Sequence, residues 1–295
     1  MKRDIIHIHL AAFLFGMTGI LGTLITASSS VITFGRALFA IAVLTPVLIW
    51  QSARTPPATV TTVPRAKAPN TRLTDTSRYL ISGTLLAIHW VTFFVSVKDA
   101  GVAIATLGFS SFAAFITLIQ WCLRPGSVSR SDWLRTLMVS LGLVLITPSL
   151  SLTDEATVGF LMGLLSGLSF AAMAVFNSHA LAHVNAIAVA RNQNIVVALV
   201  MAVFALPTLF TLSAASWFWL AVLGVFCTGL SHALFVSSLK HLRVNVAGLV
   251  IALEPVYAIA AAWLLFTQVP GARTIMGGAI IVLAIIGVSY HKDRA

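Results

Sequence analysis

Residues 246–267 read VAGLVIALEPVYAIAAAWLLFT, an apolar run that contains one carboxylate and one proline. A helix of about 20 apolar residues is long enough to cross the hydrocarbon core of a bilayer. Ten such runs occur in the 295-residue chain, and the sequence therefore predicts an all-α integral membrane protein with ten transmembrane helices. The runs are residues 9–26, 31–50, 79–97, 102–123, 133–150, 158–179, 186–206, 217–239, 246–267 and 275–291.

The composition excludes an ordinary soluble protein. Charged residues make up 9% of the chain, whereas a soluble domain has about 25%. The net charge is +10, but the basic residues lie between apolar runs and form no continuous basic face for a nucleic-acid partner. A cleavable signal peptide is the alternative interpretation of the first run. We expect this run to be retained, because it has a counterpart later in the chain.

The loops share the basic residues unequally. If ten helices alternate across the membrane, one side holds fourteen Lys and Arg residues and the other holds only Lys98 and Arg273. Cytoplasmic loops are typically rich in Lys and Arg. We therefore expect both termini and the long loop at residues 51–77 to be cytoplasmic, with the protein in the inner membrane.

The two halves of the chain resemble each other. A unit of five helices has an odd number of spans, so a second copy must enter the membrane from the opposite side. The sequence thus predicts two inverted five-helix repeats, residues 1–150 and 151–295, as in alternating-access transporters with a site near the membrane midplane. The corresponding positions are residues 136–145 and 274–283, Ser96–Lys98 and Ser238–Lys240, His89 and His232, and Arg36 and Arg191.

One carboxylate, Glu254, lies well inside a predicted span. A charge within the membrane is costly and is usually functional or paired. We interpret Glu254 as a proton or substrate-ammonium site, and the alternative is a structural ion pair with Arg191. Pro255 leaves the carbonyl of Ile251 without its helical hydrogen bond, as at a hinge. Arg36 is expected either to bind a substrate carboxylate or to extend toward the outer surface.

Several motifs of the second half carry a family resemblance. Ser238–Lys240, Val246–Ala247, Leu253–Val256 and Gly277–Gly278 resemble the second repeat of EamA-type drug/metabolite transporters. Among these transporters, the chain is most similar to the YddG-type exporters of aromatic amino acids. The resemblance extends over all ten predicted spans.

The chain departs from the family pattern at two places. Gln268 stands where many family members carry Glu shortly after the ninth span. The counterpart of Glu254-Pro255 in the first repeat reads Ser111-Phe112, so that the usual proline is missing. This second departure argues against a symmetric pair of proline hinges.

Polar and aromatic side chains are expected to form the substrate site. The two mid-span histidines correspond in the repeat, and a neutral imidazole both donates and accepts hydrogen bonds. In YddG-type exporters an aromatic residue before paired alanines faces the cavity, and Phe170 matches it. The alternative for the aromatic residues is packing. The candidate substrate-binding residues are His89, Trp90, Ser110, Ser111, Phe170, Asn177 and His232.

Glycines recur on one face of the first and sixth spans. Small residues at this spacing let neighbouring helices approach closely. We interpret these faces as surfaces for packing or for rocking motion. The candidate hinge or close-packing residues are Pro255, Gly16, Gly19, Gly163 and Gly167.

The sequence indicates neither an enzyme nor a cofactor. His179 and His183 have metal-ligand spacing on a helix, but no third ligand lies near them in sequence. The chain has no phosphate-binding loop. An intramembrane hydrolase using Ser110 or Ser111 with a histidine is an alternative, although the closing glycine of a serine-nucleophile turn is missing.

These observations together predict an inner-membrane exporter of small amphipathic metabolites. The resemblance implies aromatic and other hydrophobic amino acids as substrates, moved by alternating access, and we expect facilitated diffusion. The alternative is a proton-coupled multidrug or other metabolite exporter on the same fold. The expected partners are the small-molecule substrate and the lipid bilayer. The oligomeric state stays open, and a monomer is plausible.

Overall fold

The computed structural model describes residues 2–54, 73–146, 154–266 and 269–290. Every regular element in these residues is helical, which confirms the all-α prediction for this part of the chain. The elements are α1 (Lys2–Thr23), α2 (Ser29–Arg54), α3 (Asp75–Ser110), α4 (Phe112–Leu123), α5 (Arg130–Ile146), α6 (Asp154–Ala180), α7 (Ala186–Leu209), α8 (Ala214–Gly224), a π-helical segment (Val225–Leu230), α9 (Ser231–Ser238), α10 (Val244–Ile251), α11 (Glu254–Phe266) and α12 (Ala272–Tyr290).

Eight helical stretches within the described residues are long and apolar enough to cross a membrane. The architecture is therefore that of a multi-pass membrane protein. The two other predicted spans fall on α5, which carries Arg130, Asp132 and Arg135 in its first two turns, and on α12, whose apolar part Ala272–Ala284 is shorter. The eight stretches are Arg3–Thr23, Ser29–Arg54, Asp75–Val102, Ile104–Leu123, Thr157–Ala180, Ala186–Leu209, Ala214–Ser238 and Val244–Ala261.

Three sequence predictions fall partly or wholly outside the described residues. Residues 55–72 hold most of the predicted cytoplasmic loop, and residues 147–153 include the predicted boundary between the repeats. Gln268, one of the two departures from the family pattern, also lies outside.

A glycine separates the third and fourth predicted spans, which run through one long helical element. Gly101 has a φ of +82° in the middle of α3. This left-handed conformation costs glycine little, because glycine has no Cβ. The chain therefore changes direction at Gly101 and continues as a second span through α4.

Two predicted spans are interrupted near their centres. Ser111 separates α3 from α4, and its Oγ donates a hydrogen bond of 2.6 Å to the carbonyl of Gly108. Ala252 and Leu253 separate α10 from α11, where Pro255 lies in the first turn of the new helix and costs no hydrogen bond. Both spans are thus broken, although only the later one contains a proline.

Helices of the first half pack mainly against helices of the second half. Helix α2 packs against α7, and α5 packs against α12. Helices α3 and α4 both pack against α6, while α1 packs against α9 and α11. The buried apolar side chains form one cluster across this interface.

Candidate functional site

A small cavity lies between the two halves, and its walls come from α1, α2, α3, α6, α9 and α11. Its volume of about 30 Å³ holds only about two water molecules. Ten of its eleven lining residues are buried, and Phe15 is half-buried. The lining residues are Phe15, Thr18, Arg36, Leu86, His89, Trp90, Phe93, Phe109, Phe170, His232 and Glu254.

Aromatic rings form one wall of the cavity. The imidazole of His89 stacks on Phe109, with ring centroids 4.9 Å apart and an interplanar angle of 25°. Phe170 packs against His89 at 5.0 Å and against Phe235 at 5.2 Å. Such ring pairs add about 0.5–1.5 kcal/mol each beyond the apolar surface that they bury. The wall is therefore a set of closely packed aromatic rings.

Arg36 supplies a positive charge to the cavity from α2, and only 2% of its surface is exposed. Its Nε donates a hydrogen bond of 2.7 Å to the Thr228 hydroxyl, and one terminal nitrogen donates to the Cys227 carbonyl at 3.2 Å. The guanidinium carbon lies 4.2 Å from the centre of the Trp90 ring, within cation–π range. Arg36 thus faces the protein interior and does not extend to the surface.

Glu254 supplies a carboxyl group from the first turn of α11. It is 8% exposed, and within the described part of the chain its carboxylate has no hydrogen-bond or ion-pair partner. The N-terminus of a helix stabilises a nearby negative charge through the helix dipole. Arg36 lines the same cavity. The cavity is therefore lined by one basic and one acidic side chain.

The two histidines are held by different partners. Nδ1 of His89 lies 2.7 Å from the Ser166 hydroxyl, and this hydroxyl donates to the His89 carbonyl at 3.1 Å. Nε2 of His232 lies 2.7 Å from Oε1 of Gln193, so His232 donates through Nε2. The Ser166 hydroxyl donates its only proton to the His89 carbonyl, so it can only accept from the imidazole. His89 therefore donates through Nδ1 and keeps Nε2 as an acceptor.

A chain of polar side chains leads from the cavity into the interface between α3, α6 and α7. The amide of Gln193, which bonds His232, donates to Oδ1 of Asn177 at 3.0 Å. Gln193 also bonds the Ser82 hydroxyl, which in turn donates to Asn177 at 2.6 Å. Asn177 is therefore connected to the cavity through two residues but does not line it.

The structure brings together six of the residues selected from sequence. These six residues line the cavity, and the remaining polar candidates lie elsewhere. Ser111 bonds the Gly108 carbonyl, and Ser110 is buried with no hydrogen-bond partner for its hydroxyl among the described residues. Neither serine bonds a histidine among the described residues, so the hydrolase alternative at Ser110 or Ser111 gains no support there. The six are Arg36, His89, Trp90, Phe170, His232 and Glu254.

The proposed ion pair between Glu254 and Arg191 is not formed. Both guanidinium hydrogen bonds of Arg191 go to Oδ1 of Asn192, at 2.8 and 3.1 Å. The cation that shares the cavity with Glu254 is Arg36, which comes from the other half of the chain. Sequence spacing places both arginines inside spans, but it does not say which of them lies beside Glu254.

The selected glycines lie at close helix contacts. A Cβ on Gly167 would lie 2.6 Å from the Phe109 carbonyl oxygen, and one on Gly16 would lie 2.8 Å from the Glu254 carbonyl oxygen. Gly163 faces the backbone of Gly108, whereas Gly19 meets only a valine side chain. The first and sixth spans therefore touch the interrupted spans at backbone distance.

Sequence reasoning missed several residues around the cavity. Thr18 lines the cavity, and its hydroxyl is buried with no hydrogen-bond partner among the described residues. Phe15, Gln193 and Thr228 contribute to the wall or hold a lining residue. Gln193 is a polar residue within an apolar run, which was a signal available in the sequence. The other three are ordinary residues of apolar spans, and only packing selects them.

A second buried carboxylate lies at the start of α5. Asp132 accepts hydrogen bonds from the backbone N–H and the hydroxyl of Ser129, at 3.0 and 2.9 Å, and from Arg243 at 2.9 Å. Burial by itself would raise the pKa of the Asp132 carboxyl, but the bonds to Ser129 and the charge of Arg243 hold it below 3.8. This carboxylate is therefore paired and structural.

The described residues contain no group of three or more His, Cys, Asp or Glu side chains that could hold a metal ion. His179 lies 3.4 Å from the Gln120 amide, and His183 lies 3.6 Å from Asp75. The two histidines thus have separate partners.

Two comparisons with known proteins found a match to this chain. Residues 157–290 match the EamA-like transporter family. One solved crystal structure of a protein aligns with a TM-score of 0.77 at 15% identity, covering 98% of this chain and 97% of that chain. This likeness shows the fold alone. A search of curated proteins found no match.

The matched domain supplies three lining residues of the cavity, namely Phe170, His232 and Glu254. The family match supports the prediction of an EamA-type transporter. Together with the multi-pass helical architecture, it supports a membrane transporter of small molecules.

Proposed function

We propose that this transporter exports aromatic and other hydrophobic amino acids across the inner membrane by alternating access. The observation that carries the proposal is that Arg36 and Glu254 line one buried cavity that has aromatic walls. An amino acid has a carboxylate, an ammonium group and an apolar side chain. The cavity offers a complementary group for each of them.

The two charges favour a zwitterionic substrate. The carboxylate of Glu254 has no partner among the described residues, which makes it available to a substrate ammonium group. Arg36 is held by neutral acceptors, so its positive charge is not cancelled by an adjacent carboxylate. Buried charges are costly unless they are paired. A bound zwitterion pairs both of them at once.

The aromatic wall favours a flat apolar side chain. His89, Phe109 and Phe170 contact one another with centroids 4.9–5.4 Å apart. Stacked and edge-on contacts of this kind suit phenyl and indole rings. Nε2 of His89 adds a hydrogen-bond acceptor for an indole N–H or an ammonium group.

The small volume supports alternating access. About 30 Å³ cannot hold an amino acid, so the helices around the cavity must separate before substrate binds. The interrupted spans and the close glycine contacts of α1 and α6 lie beside this site. Discontinuous helices at a central site are typical of transporters with inverted repeats.

The helix pairing supports the two inverted repeats. In the predicted repeat, each span of the first half corresponds to the span five positions later in the chain. Under this correspondence, the contacts of α1 with α9 and α11 match those of α6 with α3 and α4. In the pairs α2–α7 and α5–α12, each helix contacts its own counterpart. A two-fold relation between residues 1–150 and 151–295 predicts this pattern. The cytoplasmic location of both termini rests on the distribution of loop charges.

The alternative is a proton-coupled exporter of drugs or other metabolites. The unpartnered Glu254 favours this alternative too, because an isolated carboxylate within the membrane is suited to carrying a proton. The two functions differ in the consequence of Glu254→Gln. Proton coupling predicts that the variant loses accumulation against a gradient but keeps downhill exchange. A substrate-ammonium site predicts that both are lost.

The test is transport into proteoliposomes that contain the purified protein. Labelled tryptophan is compared with tryptamine, which lacks the carboxylate, and with indole-3-propionate, which lacks the ammonium group. A purine and a cationic dye are included, and each compound is measured with and without a pH gradient.

We expect exchange of phenylalanine, tyrosine and tryptophan without a pH gradient. Removal of either charged group should lower the rate at limiting substrate by about tenfold or more, because a charged hydrogen bond contributes about 1.5–3 kcal/mol. Movement of the dye alone, driven by the pH gradient, would contradict the proposal.

A further inference from the structure

The span that faces Arg36 is not a regular α-helix. Residues Val225–Leu230 form a π-helical segment between α8 and α9. A π turn inserts an extra residue into a helix, is rare, and occurs frequently at functional sites. The segment contains both groups that bond the Arg36 guanidinium, the Cys227 carbonyl and the Thr228 hydroxyl.

Two glycines bring α2 close to this segment. A Cβ on Gly224 would lie 2.9 Å from the Arg36 carbonyl oxygen and 2.4 Å from Cβ of Phe39. A Cβ on Gly229 would lie 2.8 Å from the side chain of Val43. The close approach at both ends of the π segment lets the guanidinium reach its acceptors.

The direction of the Thr228 hydroxyl is determined by its neighbours. Its oxygen lies 2.9 Å from the carbonyl oxygen of Leu223, five residues earlier, and donates its proton there. A hydroxyl has one proton and two acceptor lone pairs. The lone pairs therefore remain for Nε of Arg36, which donates to the same oxygen at 2.7 Å.

This arrangement leaves one end of the guanidinium unused. Nε and one terminal nitrogen of Arg36 are bonded to the π segment, and the group lies 4.2 Å from the centre of the Trp90 ring. The second terminal nitrogen has no hydrogen-bond partner among the described residues. Because Arg36 lines the cavity, this nitrogen is the donor available to an anionic group there.

We infer that Thr228 is a specificity-determining positioning residue. It and the π segment orient Arg36 so that the unused nitrogen binds the carboxylate of the transported molecule. The inference rests on the proposed function, in which Arg36 is the carboxylate site. Without the Thr228 hydroxyl, Nε of Arg36 loses its acceptor and the guanidinium turns toward another partner.

The arginine at the corresponding place in the second half has no such support. Arg191 bonds the neighbouring Asn192 on its own helix. The helix that corresponds to the π-containing span is the first part of α3, and it is α-helical through residues 75–100. The positioning therefore belongs to Arg36 alone of the two intramembrane arginines.

The experiment compares Thr228→Val, which replaces the hydroxyl by a methyl group, with Thr228→Ser, which keeps it. Thr117→Val is the matched control, because the buried Thr117 hydroxyl also bonds a carbonyl of its own helix and a side chain of a neighbouring helix. The KM and kcat for tryptophan and for tryptamine are measured in proteoliposomes. Melting temperatures in detergent report whether each variant is folded.

We expect Thr228→Val to raise the KM for tryptophan by about tenfold, in line with the loss of one charge-assisted hydrogen bond. Its kcat for tryptophan and its KM for tryptamine should stay within about twofold of wild type. Thr228→Ser and Thr117→Val should retain the wild-type preference for tryptophan over tryptamine. If Thr228→Val is not recovered folded, Thr228→Ala removes the same hydroxyl without the added methyl group.

Three outcomes would overturn the inference. These are equal losses for both substrates, an equal loss in Thr228→Ser, or an unchanged preference in Thr228→Val. Failure of the proposed function looks different, because wild-type protein would then not transport tryptophan or would not distinguish it from tryptamine. The wild-type measurement therefore separates the two failures.

Discussion

Glu254 and Asp132 are both buried carboxylates in the first turn of a helix, and their surroundings differ completely. Asp132 accepts two hydrogen bonds from Ser129 and one from Arg243. Glu254 has none from the described residues and faces a cavity with Arg36. One carboxylate completes a local structure, whereas the other keeps its acceptors free.

We propose that this difference distinguishes a structural carboxylate from a functional one. Burial of an ionised carboxylate costs several kcal/mol, and the cost must be offset by hydrogen bonds and nearby charge. At Asp132 the capping bonds and Arg243 supply this offset. At Glu254 only the helix N-terminus and Arg36 contribute, so the site is electrostatically incomplete without a further cation or a proton.

The two arginines show the same contrast. Arg243 is 58% exposed and bonds Asp132 directly. Arg36 is buried and bonds only neutral acceptors. A solvated arginine gains little from its ion pair. A buried arginine with one nitrogen unbonded among the described residues still has a donor to offer an anion.

The largest effect is expected from Glu254→Gln. Loss of the negative charge should lower kcat/KM for tryptophan about 10–100-fold, because a hydrogen bond to a charged group is worth about 1.5–3 kcal/mol. The melting temperature should not fall, since no bond from the described residues is lost. Transport and thermal unfolding in detergent measure the two effects, with the exposed Asp99→Asn as control. A lower melting temperature with normal transport would show that Glu254 has a structural role and not a functional one.

The next effect is expected from Asp132→Asn. The neutral amide weakens the bonds from Ser129 and Arg243, and we expect a loss of about 1–2 kcal/mol in the free energy of unfolding. Transport per folded molecule should stay normal, because Asp132 does not line the cavity. Unfolding and transport of the same preparation test this. A variant that is stable but inactive would show that Asp132 takes part in transport.

A smaller effect is expected from Arg243→Ala. More than half of the Arg243 side chain is exposed, so removal of this partner should cost less than about 1 kcal/mol of stability. Asp132 keeps both bonds from Ser129. Unfolding at low and high salt measures the contribution, which should shrink as salt is added. A loss larger than that of Asp132→Asn would make Arg243 the dominant partner.

The smallest effect is a change of stability with pH. The pKa of Asp132 lies below its ordinary value of 3.8, so the folded protein binds this proton less tightly than the unfolded protein. The stability from Asp132 is therefore complete above about pH 4 and is lost as the pH falls through the lowered pKa. The stability difference between wild type and Asp132→Asn should be constant from about pH 5 to 7 and shrink below about pH 4. A stability difference that grows below pH 4 would contradict the predicted direction of the pKa shift.

Much of the fold and part of the site were predictable from sequence. Apolar runs locate the helices, because only a helix satisfies its own backbone within a bilayer. Polar residues inside these runs are conspicuous because burying them in a membrane costs free energy, and they are usually paired or functional. They include Arg36, His89, His232 and Glu254. Interruption of the fourth span at Ser111 was not predicted, since no proline marks it.

The sequence by itself determined which residues lie inside the membrane-spanning helices, and it identified the few charges among them. Only the tertiary structure decided that Glu254 lies with Arg36 and not with Arg191. It also decided that a π-helical segment holds Arg36 through Thr228. Spacing along a helix determines the depth and face of a side chain, but its neighbours depend on how separate helices pack. That packing comes from contacts between residues distant in sequence.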